Sequence, residues 1–410
     1  MEELKIYFNI EKRDGFGEDG DPISLSIPKD NIEAVGVFDG MGGAGATFCN
    51  WKDEKQHTQA YVASRIVRDA VEDYLKTSGK TFSAKEMKTA ISVTYQQQKK
   101  DFPSKSSGLR CKLVREFPTT MAVCIINRKS DDGKYSVTSL WAGDSRNYLW
   151  TKNGFYLISQ DDLDQPLDPM QNLREDAAMS NCICADREFH INQCSVVDIE
   201  EPFIVFSATD GCFGYFPTPM HFENMLKEGL KQSQNKEEWE LNIKEKIKLV
   251  AADDISMSLM AIGFKDFVEL RSFSSKYVRG LDDILKLEGE ISDLKRTLEN
   301  KKQQLEENIQ KGWEIYKPYL MSQLSSKKDV NDDTSNQNHQ GGGDERPEDN
   351  PEGKSFKGLN YPNKHGIEES NNSVKSGNTH NSISEKNVPK DKKNNGKNQN
   401  RKKRNKHRKS

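Results

Sequence analysis

Val35-Gly36-Val37-Phe38-Asp39-Gly40-Met41-Gly42-Gly43 sets an apolar run against an acidic, glycine-rich turn. The run at 34–38, rich in Val and Phe and closed by Asp-Gly, predicts a buried strand. One Asp-Gly after a strand is an ordinary turn. Three further stretches repeat the arrangement: Leu140-Trp141-Ala142-Gly143-Asp144-Ser145-Arg146, Val205-Phe206-Ser207-Ala208-Thr209-Asp210-Gly211, and Ala251-Ala252-Asp253-Asp254-Ile255-Ser256. Carboxylates gathered at one end of a sheet repel one another unless cations lie between them. Hard oxygen ligands favour Mg²⁺ or Mn²⁺ over zinc.

Outward from these turns, β-rich runs at 34–38, 120–127, 135–141, 155–158, 203–208 and 256–264 read as strands. Helical spacing marks 58–76, with Ala60, Val62, Ile66, Val67, Ala70, Val71 and Tyr74 on one face. Further helices are predicted at 83–98 behind a Ser83 cap, near 220–231 and near 237–250. Strand groups with helices inserted between them indicate an α+β domain with antiparallel sheets rather than a βαβ repeat.

At the four turns the sequence resembles the metal-dependent protein phosphatases, the type 2C Ser/Thr family, in the Asp-Gly-Met-Gly-Gly form of its bacterial branch. The family's Asp-Gly-x-Gly-Gly, Gly-Asp-Ser-Arg, Ser/Thr-Asp-Gly and late Asp-Asp/Asn-Ile/Met-Thr/Ser turns occur in that order. Pro118-Thr119-Thr120-Met121-Ala122, Leu157-Ile158-Ser159-Gln160-Asp161-Asp162 and Glu18-Asp19 echo other family segments. The resemblance implies a four-layer α-β-β-α sandwich, two antiparallel sheets flanked by helices, over residues 1–265.

It also implies roles. Asp39 would bridge two Mg²⁺ or Mn²⁺ ions, with the Gly40 carbonyl on one and Asp210 and Asp253 on the other. Asp144 would help hold a weaker third. Glu18 and Asp19 would hold water next to the ions, and Arg13 either grips phosphate or is a surface charge. Where many eukaryotic members carry a His after Asp-Gly, this chain has Met41. The expected activity is hydrolysis of phospho-Ser or phospho-Thr in proteins by water shared between two ions. No Cys-His or Ser-His arrangement stands out as a protein nucleophile. The alternative is an inactive phosphatase-fold scaffold that assembles partners through its C-terminal segments. Ser145 and Arg146 read as turn and ion-pair residues, and His57 and His190 as structural.

Of the 410 residues, 34% are hydrophobic and 30% charged, with mean hydropathy -0.86, so the globular part is diluted by solvated sequence. From 281 onward Ile284, Leu287, Ile291, Leu294, Leu298 and Leu305 step by threes and fours, with Lys301 in one core position. This is a heptad seam over 281–309 within a helical segment at 266–325, and it reads either as a homodimer or partner-helix coiled coil or as a helix laid on the domain. Residues 326–410 are too polar to fold alone and read as disordered. Residues 386–410 carry twelve Lys/Arg against one Asp, +11, which leaves -14 for the remainder of a chain of net charge -3. An acidic body argues against a nucleic-acid-binding protein, although the tail has the charge to contact an acidic partner. The seven cysteines form no CxxC pair, the N-terminus MEELKIYF lacks a signal-peptide pattern, and no run is long enough to span a membrane. The expectation is a cytoplasmic protein with reduced thiols.

Overall fold

The structure, a computed structural model, describes residues 4–53, 55–79, 82–98, 114–129, 133–165, 168–175, 177–273 and 278–325. Its strands are β1 (Leu4–Ile10), β2 (Gly20–Ile27), β3 (Ile32–Phe38), β4 (Phe48–Asn50), β5 (Gln56–Thr58), β6 (Met121–Arg128), β7 (Tyr135–Ala142), β8 (Arg146–Thr151), β9 (Gly154–Leu157), β10 (Asn192–Ile199), β11 (Phe203–Ala208) and β12 (Ile255–Ile262). Its helices are α1 (Gln59–Thr77), α2 (Ala84–Gln98), α3 (Asp210–Phe213), α4 (Pro219–Gln232), α5 (Lys236–Lys248), α6 (Phe267–Phe273) and α7 (Asp282–Ser325).

Two five-stranded antiparallel sheets form the middle. One runs β1-β12-β11-β8-β9 and the other β10-β7-β6-β3-β2, while β4 and β5 make a small ribbon. The two-residue alternation of each strand divides its side chains between two cores. In β3, Ile32, Ala34 and Phe38 face α1 and α2, where they meet Ile66, Val67, Val71, Met87 and Ile91. Val35 instead faces the other sheet, where Phe203, Val205, Met260 and Ile262 stand. Beyond that sheet, Ile204 and Phe206 of β11 with Leu259 of β12 pack on Phe222, Leu226, Trp239 and Ile243 of α4 and α5. The order is helix, sheet, sheet, helix: the α+β sandwich expected from sequence.

Towards one end the contact between the sheets turns polar. Buried Asn147 donates through Nδ2 to the Val123 carbonyl (3.2 Å), Ser139 Oγ (2.9 Å) and the Leu140 carbonyl (3.2 Å), and its Oδ1 accepts from Ser207 Oγ at 2.6 Å. This one side chain ties β8 and β11 to β6 and β7, and satisfying each of its polar atoms avoids the penalty of burying them.

The predicted strands and helices recur within one or two residues of their expected limits. Strands β1, β2, β8 and β10, which the sequence reading did not include, complete the sheets. β2 carries Pro22 beside a register irregularity, and β10 is an edge strand with most side chains exposed, so neither shows a clean apolar pattern. Thr58 caps α1 by accepting from the Tyr61 N–H at 3.1 Å, and Ser83 accepts from the Glu86 N–H at 3.2 Å at the start of α2. α7 continues through Pro318, where the heptad pattern was expected to stop. From 285 to 322 every residue of α7 is exposed, so its apolar stripe is not laid on the sandwich.

The chain divides into two units, Met1–Ser322 and Gln323–Ser410; of the second, only the last three residues of α7 are described. The basic tail and Cys111 lie outside the described residues. The other six cysteines carry free thiols. Among the described residues, no helix is long and apolar enough to cross a membrane.

Candidate active site

The ends of β3, β7 and β11 and the starts of β2 and β12 lie at one edge of the sandwich, because antiparallel pairing brings alternate strand ends together. Asp39, Asp144 and Asp210 follow the first three; Asp19 precedes β2 and Asp253 precedes β12. With Glu18, Gly40, Met41, Gly42, Gly43, Ala44, Thr120, Met179 and Asp254 they line an open cleft of about 380 Å³. Thus seven of the eight site residues expected from sequence meet in one place. The eighth, Arg13, stands on an exposed turn closed by the Phe16 N–H on its carbonyl (2.9 Å) and does not line the cleft.

The acidic turns approach their neighbours more closely than any side chain at Gly42 or Gly211 would permit. A side chain at Gly42 would place its Cβ 1.7 Å from Glu18 Oε2, and one at Gly211 would meet the Asp254 carbonyl oxygen at 1.8 Å. Glycine therefore lets the Asp39 turn reach the Glu18 loop and the Asp210 turn reach the Asp253-Asp254 turn. The Asp39 carbonyl accepts from Thr119 Oγ1 (2.5 Å) and the Thr120 N–H (2.8 Å), which aims the Asp39 side chain along the strand end.

Asp254 binds the early acidic loop. Its Oδ1 accepts from the Lys12 N–H at 2.7 Å and its Oδ2 from the Glu18 N–H at 2.6 Å. The Glu18 carbonyl accepts from Ser64 Oγ (2.6 Å) and Arg65 (3.3 Å), and the Glu18 carboxylate accepts from Thr58 Oγ1 at 2.5 Å. Sequence reasoning missed Asp254 and Arg65. The doublet Asp253-Asp254 was a visible signal for the first; for Arg65 there was none, because its contact depends on how α1 docks.

Burial is the main influence on the carboxyls, and mutual repulsion is the next. Asp39 is held well above the usual carboxylate range by burial, then by Asp19, Asp210, Asp144 and Asp253. Asp19 is raised well above it by burial and Asp254. Burial also raises Asp210, with Asp253 adding to it, and Glu18. Asp144 is pushed up to about 8 by burial, then by Asp210 and Asp161. Asp144 Oδ1 is buried without a hydrogen-bond partner.

Among the described residues, no group of three or more His, Cys, Asp or Glu side chains stands close enough together to hold a metal ion as placed. The acidic groups instead surround the cleft, converging enough to perturb one another's protons. An all-oxygen donor set with an orphaned buried carboxylate oxygen fits Mg²⁺ or Mn²⁺ better than a softer ion.

Beside the cleft, Arg146 makes a buried two-pronged ion pair with Asp161 (2.9 and 2.7 Å) and lies 4.3 Å from the Phe213 ring centre. Ser145 Oγ lies 2.6 Å from Thr120 Oγ1. Both residues hold the Asp144 turn, as the sequence reading had them. His57 pairs with Asp53 (2.9 Å) and stacks on Tyr61, while His190 lies 3.9 Å from Asp162.

No protein-family profile matches the chain, and no curated protein matches it in sequence. Solved structures similar to it include the serine/threonine phosphatase Stp1 from Staphylococcus aureus, at 15% identity and TM-score 0.47 over 64% of this chain and 96% of that one. The serine/threonine phosphatase of S. agalactiae has 15% identity and TM-score 0.45 over 64% and 100%. The Mycobacterium tuberculosis serine/threonine phosphatase PstP/Ppp has 13% identity and TM-score 0.45 over 63% and 98%.

Proposed function

We propose that this protein is a Mg²⁺- or Mn²⁺-dependent phosphatase acting on phospho-Ser or phospho-Thr in proteins. The observation that carries this reading is the convergence of Asp19, Asp39, Asp144, Asp210 and Asp253, from both sheets, on one cleft. Such a set is a poor structural device, since burial and repulsion force protons onto it, but a good receptacle for divalent cations.

In this reading Asp39, Asp210, Asp253 and the Gly40 carbonyl would hold two ions, and Asp144 would contribute to a weaker third. When bound, the ions supply Lewis-acid charge for the phosphoryl oxygens and make water more acidic. Glu18 and Asp19 accept hydrogen bonds from water and orient it towards phosphorus, and Asp254 fixes the loop that presents them. Water adds to phosphorus, the P–O bond to the serine or threonine oxygen breaks, and inorganic phosphate leaves. Met41, on the cleft lining, has no proton to give, so solvent water protonates the departing alkoxide.

The test is turnover of a phosphopeptide and of p-nitrophenyl phosphate by the full chain with and without Mn²⁺. Turnover should require the ion and should fall on the order of 10³-fold in Asp39→Asn, the scale expected for losing several kcal/mol of ion-derived stabilisation. Folded protein that binds no Mn²⁺ by calorimetry would support the inactive scaffold instead, a reading favoured by the exposed stripe of α7.

A further inference from the structure

α7 is 44 residues long, about 66 Å at 1.5 Å per residue. Its base is anchored: Val278 and Leu281 are buried, and His221 Nε2 lies 3.2 Å from Glu288 Oε2. Beyond that, Leu287, Ile291, Leu294, Leu298 and Leu305 all stand exposed, Leu294 at 69%. A helix owes most of its stability to packing of its apolar face, and no described residue covers this one.

We propose that the cover is the same segment of a second copy, running antiparallel over residues 284–308. In heptad terms Ile284, Ile291, Leu298 and Leu305 take position a, and Leu287, Leu294, Lys301 and Asn308 position d. A parallel pair would set Lys301 against Lys301 inside the seam and Asp283 against Glu288 on its flank. Both are like-charge encounters.

The antiparallel pair matches a with d and removes both. Leu294 meets Leu298 of the second copy, Leu287 meets Leu305, and Ile284 meets Asn308. Lys301 lies against Ile291, with Glu290 beside it to receive the ammonium group, and Glu288 faces Lys302 on the flank. The two-fold axis repeats each contact, as an isologous dimer requires. The single like-charge encounter is Lys295 with its own mate, at an exposed flank where salt screens it. A parallel pair offers only Glu290 against Lys295 in return for its two like-charge encounters, so the sequence complements itself better in the antiparallel direction, and that selects a second copy over an unrelated helix.

Light scattering on the full chain at micromolar concentration should give about 93 kDa, twice 46.7 kDa. Leu294→Glu with Leu298→Glu should give a monomer that still melts cooperatively. Glu290→Lys and Lys301→Glu should each weaken the dimer about tenfold, and together should restore it. A monomeric wild-type chain, a dimer that survives the Leu294/Leu298 change, or a charge swap that fails to restore pairing would each overturn the proposal.

Discussion

The Glu18 N–H donates to Asp254 Oδ2 at 2.6 Å, joining residues 236 positions apart in the chain. The other oxygen of the same carboxylate receives the Lys12 N–H at 2.7 Å. One side chain therefore holds both ends of the loop that carries Glu18 to the cleft.

Asp254→Ala should release that loop while the sandwich stays folded. Hydrogen bonds to a charged acceptor contribute roughly 1.5–3 kcal/mol each, so amide exchange of residues 12–18 should accelerate more than tenfold. Asp254→Asn, with one acceptor oxygen, should be intermediate. Unchanged exchange in Asp254→Ala would show that the loop is fixed by other contacts.

Stability of the metal-free protein should depend on pH in a direction set by the cleft. Asp144, pushed up to about 8, and the raised Asp19, Asp39, Asp210 and Glu18 keep protons in the folded chain after the unfolded chain has released them. For Asp144 the folded state binds more protons between its ordinary value of 3.8 and about 8. Its contribution is therefore present at low pH and lost as pH rises through that window, by at most about 1.4 kcal/mol per pH unit. Thermal melts in chelator should fall from pH 5 to pH 8, and Mn²⁺ should flatten the profile and raise it. A chelator profile that climbs with pH would contradict this account.

Arg146→Ala should destabilise the fold by about 3–5 kcal/mol, because it strands Asp161, buried, without its cation. Asp161 keeps a hydrogen bond from Asn172 Nδ2 at 2.7 Å, which does not replace the charge. Replacing both partners, Arg146→Met with Asp161→Leu, should cost less than the single change. Urea titration of both proteins measures the difference.

Alanine at two glycines should separate activity from stability. At Gly42 the new methyl meets the end of the Glu18 side chain, which can swing aside by giving up its hydrogen bond from Thr58, so the fold should persist while activity drops. At Gly211 it meets the Asp254 backbone carbonyl, which cannot, so stability should fall by about 1–3 kcal/mol. Melting temperature and turnover on both variants test the contrast.

The turns at Asp39, Asp144, Asp210 and Asp253 were legible in the sequence because each pairs a local signal, an apolar strand, with a local chemistry, a carboxylate beside Gly or Asp. Strands β3, β6, β7, β11 and β12 and helix α1 were legible for the same reason: burial on one or both faces imposes a period on the residues themselves. β2 and β10 were not, since edge strands with exposed faces and a proline leave no such period.

Tertiary structure decided the rest, and the difference between neighbours in sequence shows why. Asp253 and Asp254 look alike in the chain. Yet Asp254 receives the backbone of residues 12 and 18 and Asp253 perturbs the protons of Asp39 and Asp210. Arg13 lay beside the early acidic pair in sequence, but Arg65, on a helix over forty residues later, is the one that touches Glu18. Local pattern determines which segments become strands, helices and turns. Which side chains then share a cleft depends on strand order and helix docking, through contacts between residues that no local pattern connects.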